Sequence, residues 1–221
     1  MTSALRTPRA AAIAGVLFAI LLTTALALVR LAAPSDPSNP SAWLADQTRK
    51  RMVVVALNLI PFAGIAFLWF IGVVRDRLGE HEDRFFATVF LGSGLLFVTM
   101  LFVASAVTAA LVTSLAGTGT AADVSSFGRG VGSVVLHTYA MRMAAVFTIS
   151  TATIGLRTGF IPRWLGFSGY AIASVLLLAI GITLWVELLF PLWILLFSLD
   201  TLVRSLAGGA NDRPGDAAPR W

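Results

Sequence analysis

The chain has 221 residues, of which 57% are apolar and only 12% are charged. Soluble domains carry roughly 45–50% apolar and 25% charged residues, so this composition excludes an ordinary soluble domain and indicates a protein embedded in a lipid bilayer. The absence of cysteine excludes thiolate metal sites and disulfides. The net charge of +5 comes from arginines at the ends of apolar runs, without interleaved aromatic residues, which argues against nucleic-acid binding.

Apolar runs of spanning length follow one another along the chain, since a membrane-spanning helix needs about 20 apolar residues. The last run, Trp164–Leu206, is too long for one crossing, and we predict that it turns back at Trp185–Glu187, shortly before Pro191. The runs are continuous rather than alternating in polarity, which favours helices over a barrel. The predicted fold is all-α, a polytopic transmembrane bundle without a soluble domain. Its six spans cover about 10–29, 52–74, 85–112, 133–156, 164–184 and 188–206.

The segments between the spans carry typical helix boundary residues. Asn39 and Pro40 predict a capped helix start near Ser41, outside the bilayer. Gly159 and Pro162 predict a tight turn after the fourth span. Residues 1–9 are expected to form a cytoplasmic N-terminus, and the polar residues 207–221 a disordered cytoplasmic tail.

The positions of lysine and arginine predict the orientation. With the N-terminus inside, ten basic residues lie near the cytoplasmic span ends and five near the outer ends. This distribution predicts that both termini are cytoplasmic, although the outer cluster Arg49–Arg51 opposes it. The arginine- and alanine-rich composition indicates a multi-pass protein of the bacterial plasma (inner) membrane. A cleaved signal peptide ending near Ala25–Ala27 is an open alternative that would leave five spans.

Three ionisable residues fall inside predicted spans, where such residues are costly and often functional: Arg142, Glu187 and Asp200. Arg142 lies 15 residues before Arg157, roughly 22 Å along a straight helix and at a depth similar to that of Glu187. We therefore predict that Arg142 pairs with Glu187, assisted by Tyr139, as a clamp between the fourth span and the last hairpin. A ligand or anion site, and snorkelling of Arg142 to the outer surface, are the alternatives.

The other polar residues of the spans have local interpretations. Asp200 is expected to pair with Arg204 on the same helix face, with proton or cation coupling as the alternative. His137 lies near the outer interface, and helical spacing puts it on a different face from Arg142. The spacing of Asn58 and Pro61 predicts a kink in which the amide satisfies a freed carbonyl, for packing or for gating.

No nucleophile–base constellation, phosphate loop or metal-binding motif is present in the sequence. We therefore predict no catalytic residues, no cofactor and no metal, and the sequence favours a non-enzymatic protein. The paucity of buried polar groups favours an auxiliary or assembly subunit, whose partners are the lipid bilayer and other membrane proteins or further copies of itself. The alternative is a small-solute transporter or channel that uses Arg142, Asp200 and the Asn58–Pro61 kink, which requires a continuous polar cavity.

Overall fold

The computed structural model describes residues 8–32, 46–78, 84–114, 122–178 and 185–211, and the regular structure within these ranges is entirely helical. A π-helical segment, Val134–Ala140, joins two of the helices without a break, and a 3-10 turn, Val186–Leu188, precedes the last one. The predicted all-α class is confirmed. The helices are α1 (Pro8–Ala32), α2 (Gln47–Leu78), α3 (Arg84–Ser114), α4 (Ala122–Ser133), α5 (Met141–Arg157), α6 (Arg163–Leu178) and α7 (Leu189–Asn211).

Five helical segments among the described residues are long and apolar enough to cross a membrane. They cover 10–32, 47–75, 85–113, 126–157 and 186–207. The helix α6 has 16 described residues, fewer than the roughly 20 that a crossing needs, and the remainder of its predicted span, 179–184, lies outside the described residues. The protein is therefore a membrane-embedded helical bundle, and its sixth span stays a prediction.

Two predicted turns are confirmed. The chain turns at Trp185 and enters the 3-10 segment before α7 begins at Leu189. Between α5 and α6, Gly159 has a φ of 69°, a backbone conformation that glycine adopts without strain. The chain can therefore reverse within the few residues that separate these two helices.

The ends of α2 and α7 differ from the predicted boundaries. The helix α2 begins at Gln47, and the Asp46 carboxylate accepts a hydrogen bond of 2.8 Å from the Thr48 amide, as an N-cap does. The predicted start at Asn39–Pro40 lies outside the described residues. At the other end of the chain, α7 continues to Asn211 instead of stopping near residue 206. The rest of the predicted tail, 212–221, lies outside the described residues.

The helix α4 adds about three turns in front of the predicted fourth span. Its polar, glycine-rich sequence lacks the apolar character by which spans are recognised. Its position follows from packing, because Gly128 faces α3 so closely that a Cβ atom there would lie 2.7 Å from Leu111 Cδ2. Small residues of this kind allow membrane helices to approach each other closely.

An aromatic core fills the middle of the bundle. The ring of Phe67 on α2 contacts four other phenylalanine rings at centroid distances of 4.5–5.8 Å, and all five side chains are fully buried. These four are Phe18 of α1, Phe97 of α3, Phe147 of α5 and Phe190 of α7. Because Phe190 belongs to the first turn of α7, this helix begins beside the core rather than at the end of the bundle.

Candidate functional site

Glu187, on the 3-10 turn before α7, is a buried carboxylate. Its side chain is only 10% exposed, and Arg30 Nη2 donates a hydrogen bond of 2.7 Å to Glu187 Oε1. Nδ1 of His137 lies against the same oxygen. We call Arg30, His137 and Glu187 the carboxylate clamp. It joins the last turn of α1, the π-helical segment and the 3-10 turn before α7.

The clamp satisfies a strict electrostatic requirement. A carboxylate away from water is strongly unfavourable unless a cation and hydrogen bonds compensate its charge. The guanidinium of Arg30 provides both, although it is 157 residues distant from Glu187 in the chain. The first helix and the last hairpin are thereby held together at one point.

The π-helical segment determines which side chains reach the clamp. The Met141 amide donates to the carbonyl of Leu136, five residues earlier, instead of to one four residues earlier. His137 faces Glu187, whereas Tyr139 is 53% exposed and Arg142 is exposed on the outer surface of the bundle. Single π turns of this kind are rare in proteins overall, and those that occur are often found at functional sites.

The predicted Arg142–Glu187 pair is corrected by these contacts, because Glu187 instead meets Arg30 and His137. Spacing along a helix predicts depth in the bilayer, but it does not predict which way a side chain points relative to a neighbouring helix. The prediction that His137 and Arg142 lie on different faces agrees with the structure. The sequence did not identify Arg30 as the partner, although Arg30 is one of the five basic residues counted near the outer span ends and Glu187 lies in the predicted turn between the last two spans.

The remaining predicted residues lie apart from the clamp. The Asp200–Arg204 pair is confirmed, with Arg204 Nε 2.9 Å from Asp200 Oδ2. Asn58 and Pro61 lie on the exposed face of α2. Pro61 has no N–H, so the carbonyl of Leu57 lacks its usual helical donor. The Asn58 amide donates instead to the carbonyl of Val54, at 2.8 Å. The prediction that this amide satisfies the carbonyl freed by Pro61 is therefore wrong.

A cleft of about 520 Å³ lies beside the clamp, between α1, α2, α3 and the α4–π segment. Its walls are mostly aliphatic, and the hydroxyls of Ser105 and Thr108 on α3 are bonded to carbonyls of their own helix. None of Asn58, Arg142 and Asp200 lines it. His137 belongs both to the cleft and to the clamp. The polar side chains on its α4–π wall are Ser126, Arg129, Ser133 and His137.

The described residues contain no group of three or more side chains of the types that hold a metal ion. In the sequence, His81 is flanked by the acids Glu80, Glu82 and Asp83, and these four residues lie outside the described ones. The clamp itself combines one acid with a histidine and an arginine, and the arginine is a cation that competes with a metal for the same oxygen. Its chemistry is therefore that of charge compensation between helices.

The assignment of this chain to the membrane depends on its own helices. No protein-family model, curated protein or solved structure matches it. Five long apolar helices among the described residues, which are all-helical in their regular structure, together with the apolar composition indicate a membrane-embedded bundle.

Proposed function

We propose that this protein is a non-enzymatic auxiliary or assembly subunit that binds other membrane proteins through the outer faces of its helices. The observation that supports this proposal is the exposed position of Arg142 on a spanning helix. Arg142 precedes Arg157 by 15 residues, about 22 Å along the helix, within a hydrocarbon layer of about 30 Å. Charged residues at such depth usually face a bundle interior, so the natural environment of Arg142 is a second protein.

The surroundings of Arg142 indicate the chemistry of that partner. Tyr139 lies one helical turn earlier and is also exposed, which gives the outer face a cation next to a hydroxyl. A partner helix that carries a carboxylate at the same depth would satisfy both groups. Asn58 gives α2 a second outward polar position, and polar side chains of this kind contribute to association between membrane helices.

The packed core supports this proposal over the transporter alternative. Fully buried phenylalanine rings fill the middle of the bundle, and none of Arg142, Asp200 and Asn58 lines the cleft beside the clamp. We further propose that the protein resides in the bacterial plasma membrane with both termini in the cytoplasm. The distribution of ten basic residues against five supports this orientation.

Native mass spectrometry of the full chain, extracted with its surrounding lipid from its own membrane, tests the proposal. We expect a stoichiometric complex with another membrane protein. Arg142→Ala should reduce the complexed fraction at least tenfold, because the partner's carboxylate loses its counter-ion. Arg51→Ala is the matched control, since Arg51 is also exposed but lies at the start of α2, and it should leave the complex intact.

Photo-crosslinking locates the contact independently. A benzophenone amino acid in place of Tyr139 should capture the same partner, whereas one in place of Phe167, which is 64% exposed on α6, should capture it far less. A wild-type protein that is isolated alone or only as a homo-oligomer would contradict the proposal. So would an Arg142→Ala variant that retains the complex at the wild-type level.

A further inference from the structure

The cleft beside the clamp is amphipathic along its length. On α3 its wall runs from Leu101 to Leu111, about 15 Å along the helix axis. Leu57 and Ile60 of α2 face it from the other side, near the end closer to the aromatic core. Arg129 lies on the α4 wall toward the Leu111 end, because the neighbouring Gly128 packs against Leu111. The cleft therefore combines an aliphatic interior with a guanidinium near one end.

One arginine belongs to the lining of this otherwise mostly aliphatic cleft, and it is Arg129. A guanidinium carries five N–H donors in a geometry that suits phosphate oxygens. Its positive charge favours an anionic group over a neutral one at this end of the cleft.

We propose that the cleft binds one anionic phospholipid from the surrounding bilayer, with acyl-chain carbons against the aliphatic walls and the phosphate near Arg129. Its volume of about 520 Å³ falls within the range of roughly 300–1,000 Å³ that is typical of ligand sites with apolar walls and few polar groups. Basic sites between membrane helices bind anionic headgroups, and arginine is well suited to phosphate. This inference does not depend on the proposed subunit function.

The bound lipid would also contact the clamp. The ring of His137 lines the cleft, while its Nδ1 lies against Glu187. A lipid in the cleft would therefore cover one side of the residue that contacts the buried carboxylate. Occupancy of the cleft should exclude water from the clamp.

Small residues leave the space that the lipid would occupy, and one of them provides a test. A Cβ atom on Gly130 would have no neighbour within 4 Å, so Gly130→Phe can fill the cleft without a backbone clash. Gly72 on α2 is equally open but does not line the cleft. Gly72→Phe is therefore the matched control for adding a phenyl ring to an open glycine.

The experiment is native mass spectrometry of the full chain in mixed micelles with dioleoyl phosphatidylglycerol or dioleoyl phosphatidylcholine. We expect the wild type to retain one phosphatidylglycerol per chain, at least tenfold in preference to phosphatidylcholine. Gly130→Phe should lower that retention at least tenfold, and Gly72→Phe should leave it unchanged. Arg129→Gln should lower the preference for phosphatidylglycerol at least fivefold, while the weaker retention of phosphatidylcholine persists.

Several outcomes would overturn the inference. Equal retention of the two lipids would remove the role of the anionic headgroup, and unchanged retention in Gly130→Phe would place the bound lipid elsewhere. The milder variant Gly130→Leu, with thermal unfolding measured for each protein, separates cleft filling from misfolding. A benzophenone amino acid at position 57 that captures a protein helix instead of lipid in native membranes would assign the cleft to a protein partner.

Discussion

The aromatic core and the clamp end of the bundle are stabilised in different ways. In the core, rings from five helices pack against one another, and no charge takes part. At the clamp, a single buried carboxylate joins three segments, and an open cleft lies beside it. This chain therefore combines a tightly packed apolar centre with one end where charge determines the arrangement of helices.

The same helices contribute to both regions, and the difference follows from the size of their side chains. In the first half of α3, Phe90 and Phe97 point into the core. In its second half, Ala104, Ser105 and Thr108 line the cleft. The small residues leave unfilled volume because they cannot reach across to the neighbouring helices.

The largest effect is expected from Arg30→Met. Loss of the guanidinium leaves Glu187 as a buried acid without its arginine, which should lower the free energy of unfolding by about 3 kcal/mol. Glu187→Gln should lower the free energy of unfolding by less, because Arg30 is 20% exposed and its long side chain can extend toward water. Unfolding in mixed dodecyl sulfate micelles measures both values.

A double-mutant cycle provides the control for this prediction. Arg30→Met combined with Glu187→Gln should be no less stable than Arg30→Met alone, because the uncompensated charge is gone. If the losses in free energy of unfolding from the two substitutions add, Arg30 stabilises the bundle through packing. The proposal that charge stabilises the clamp whereas packing stabilises the core would then be wrong.

Truncation in the core should have the next largest effect. Phe67→Ala removes roughly 100 Å³ of side chain, and the cavity alone should cost about 2 kcal/mol at about 24 cal/mol per Å³. The separated helices are surrounded by lipid tails and not by water, so moving the phenyl ring into the core gains little hydrophobic free energy, and its loss adds little to the cost of the cavity. Leu57→Ala on the cleft wall should cost less than half as much, since the cleft is already open there. Similar losses in the same unfolding assay would show that the cleft wall is packed as tightly as the core.

Gly15 tests how closely α1 approaches α7. A Cβ atom at this position would overlap Ser198 Oγ and lie 2.8 Å from Phe70 Cδ2, and Ser198 is fully buried. Gly15→Ala should lower the free energy of unfolding by about 1 kcal/mol, because overpacking outweighs the gain in helix propensity. Gly72→Ala, at an open glycine, should be neutral or stabilising. Equal behaviour of the two variants in thermal unfolding would contradict the close approach.

The smallest effect is expected at the Asp200–Arg204 pair. It lies within one helix, and Arg204 is 51% exposed, so Asp200→Asn should change the free energy of unfolding by less than about 0.5 kcal/mol. The same substitution should leave solute flux through proteoliposomes unchanged if the protein is not a transporter. A large change in either measurement would revive proton or cation coupling at Asp200.

The features that sequence predicted are those set by local spacing. Apolar runs predicted the long helices, and Gly159 predicted the turn after α5. The four-residue separation of Asp200 and Arg204 predicted that they pair on one helix face. The Arg30–Glu187 pair could not be predicted in this way, because residues 157 positions apart meet only when the helices are packed. Arg142 shows the same limit, since its distance along the helix predicts depth but its exposed direction depends on the neighbouring helices.

The π-helical segment makes the length of this part of the chain matter as much as its composition. The segment holds one residue more than a regular α-helix needs to connect the same two flanks, because its amide bond reaches five residues back instead of four. Removal of one residue between Val134 and Ala140 would therefore restore α-helical bonding while α4 and α5 keep their mutual rotation, and Arg129 would stay at the cleft. The side chains within the segment, His137 among them, would take new directions. A single codon deletion would therefore disturb the clamp and leave the cleft in place.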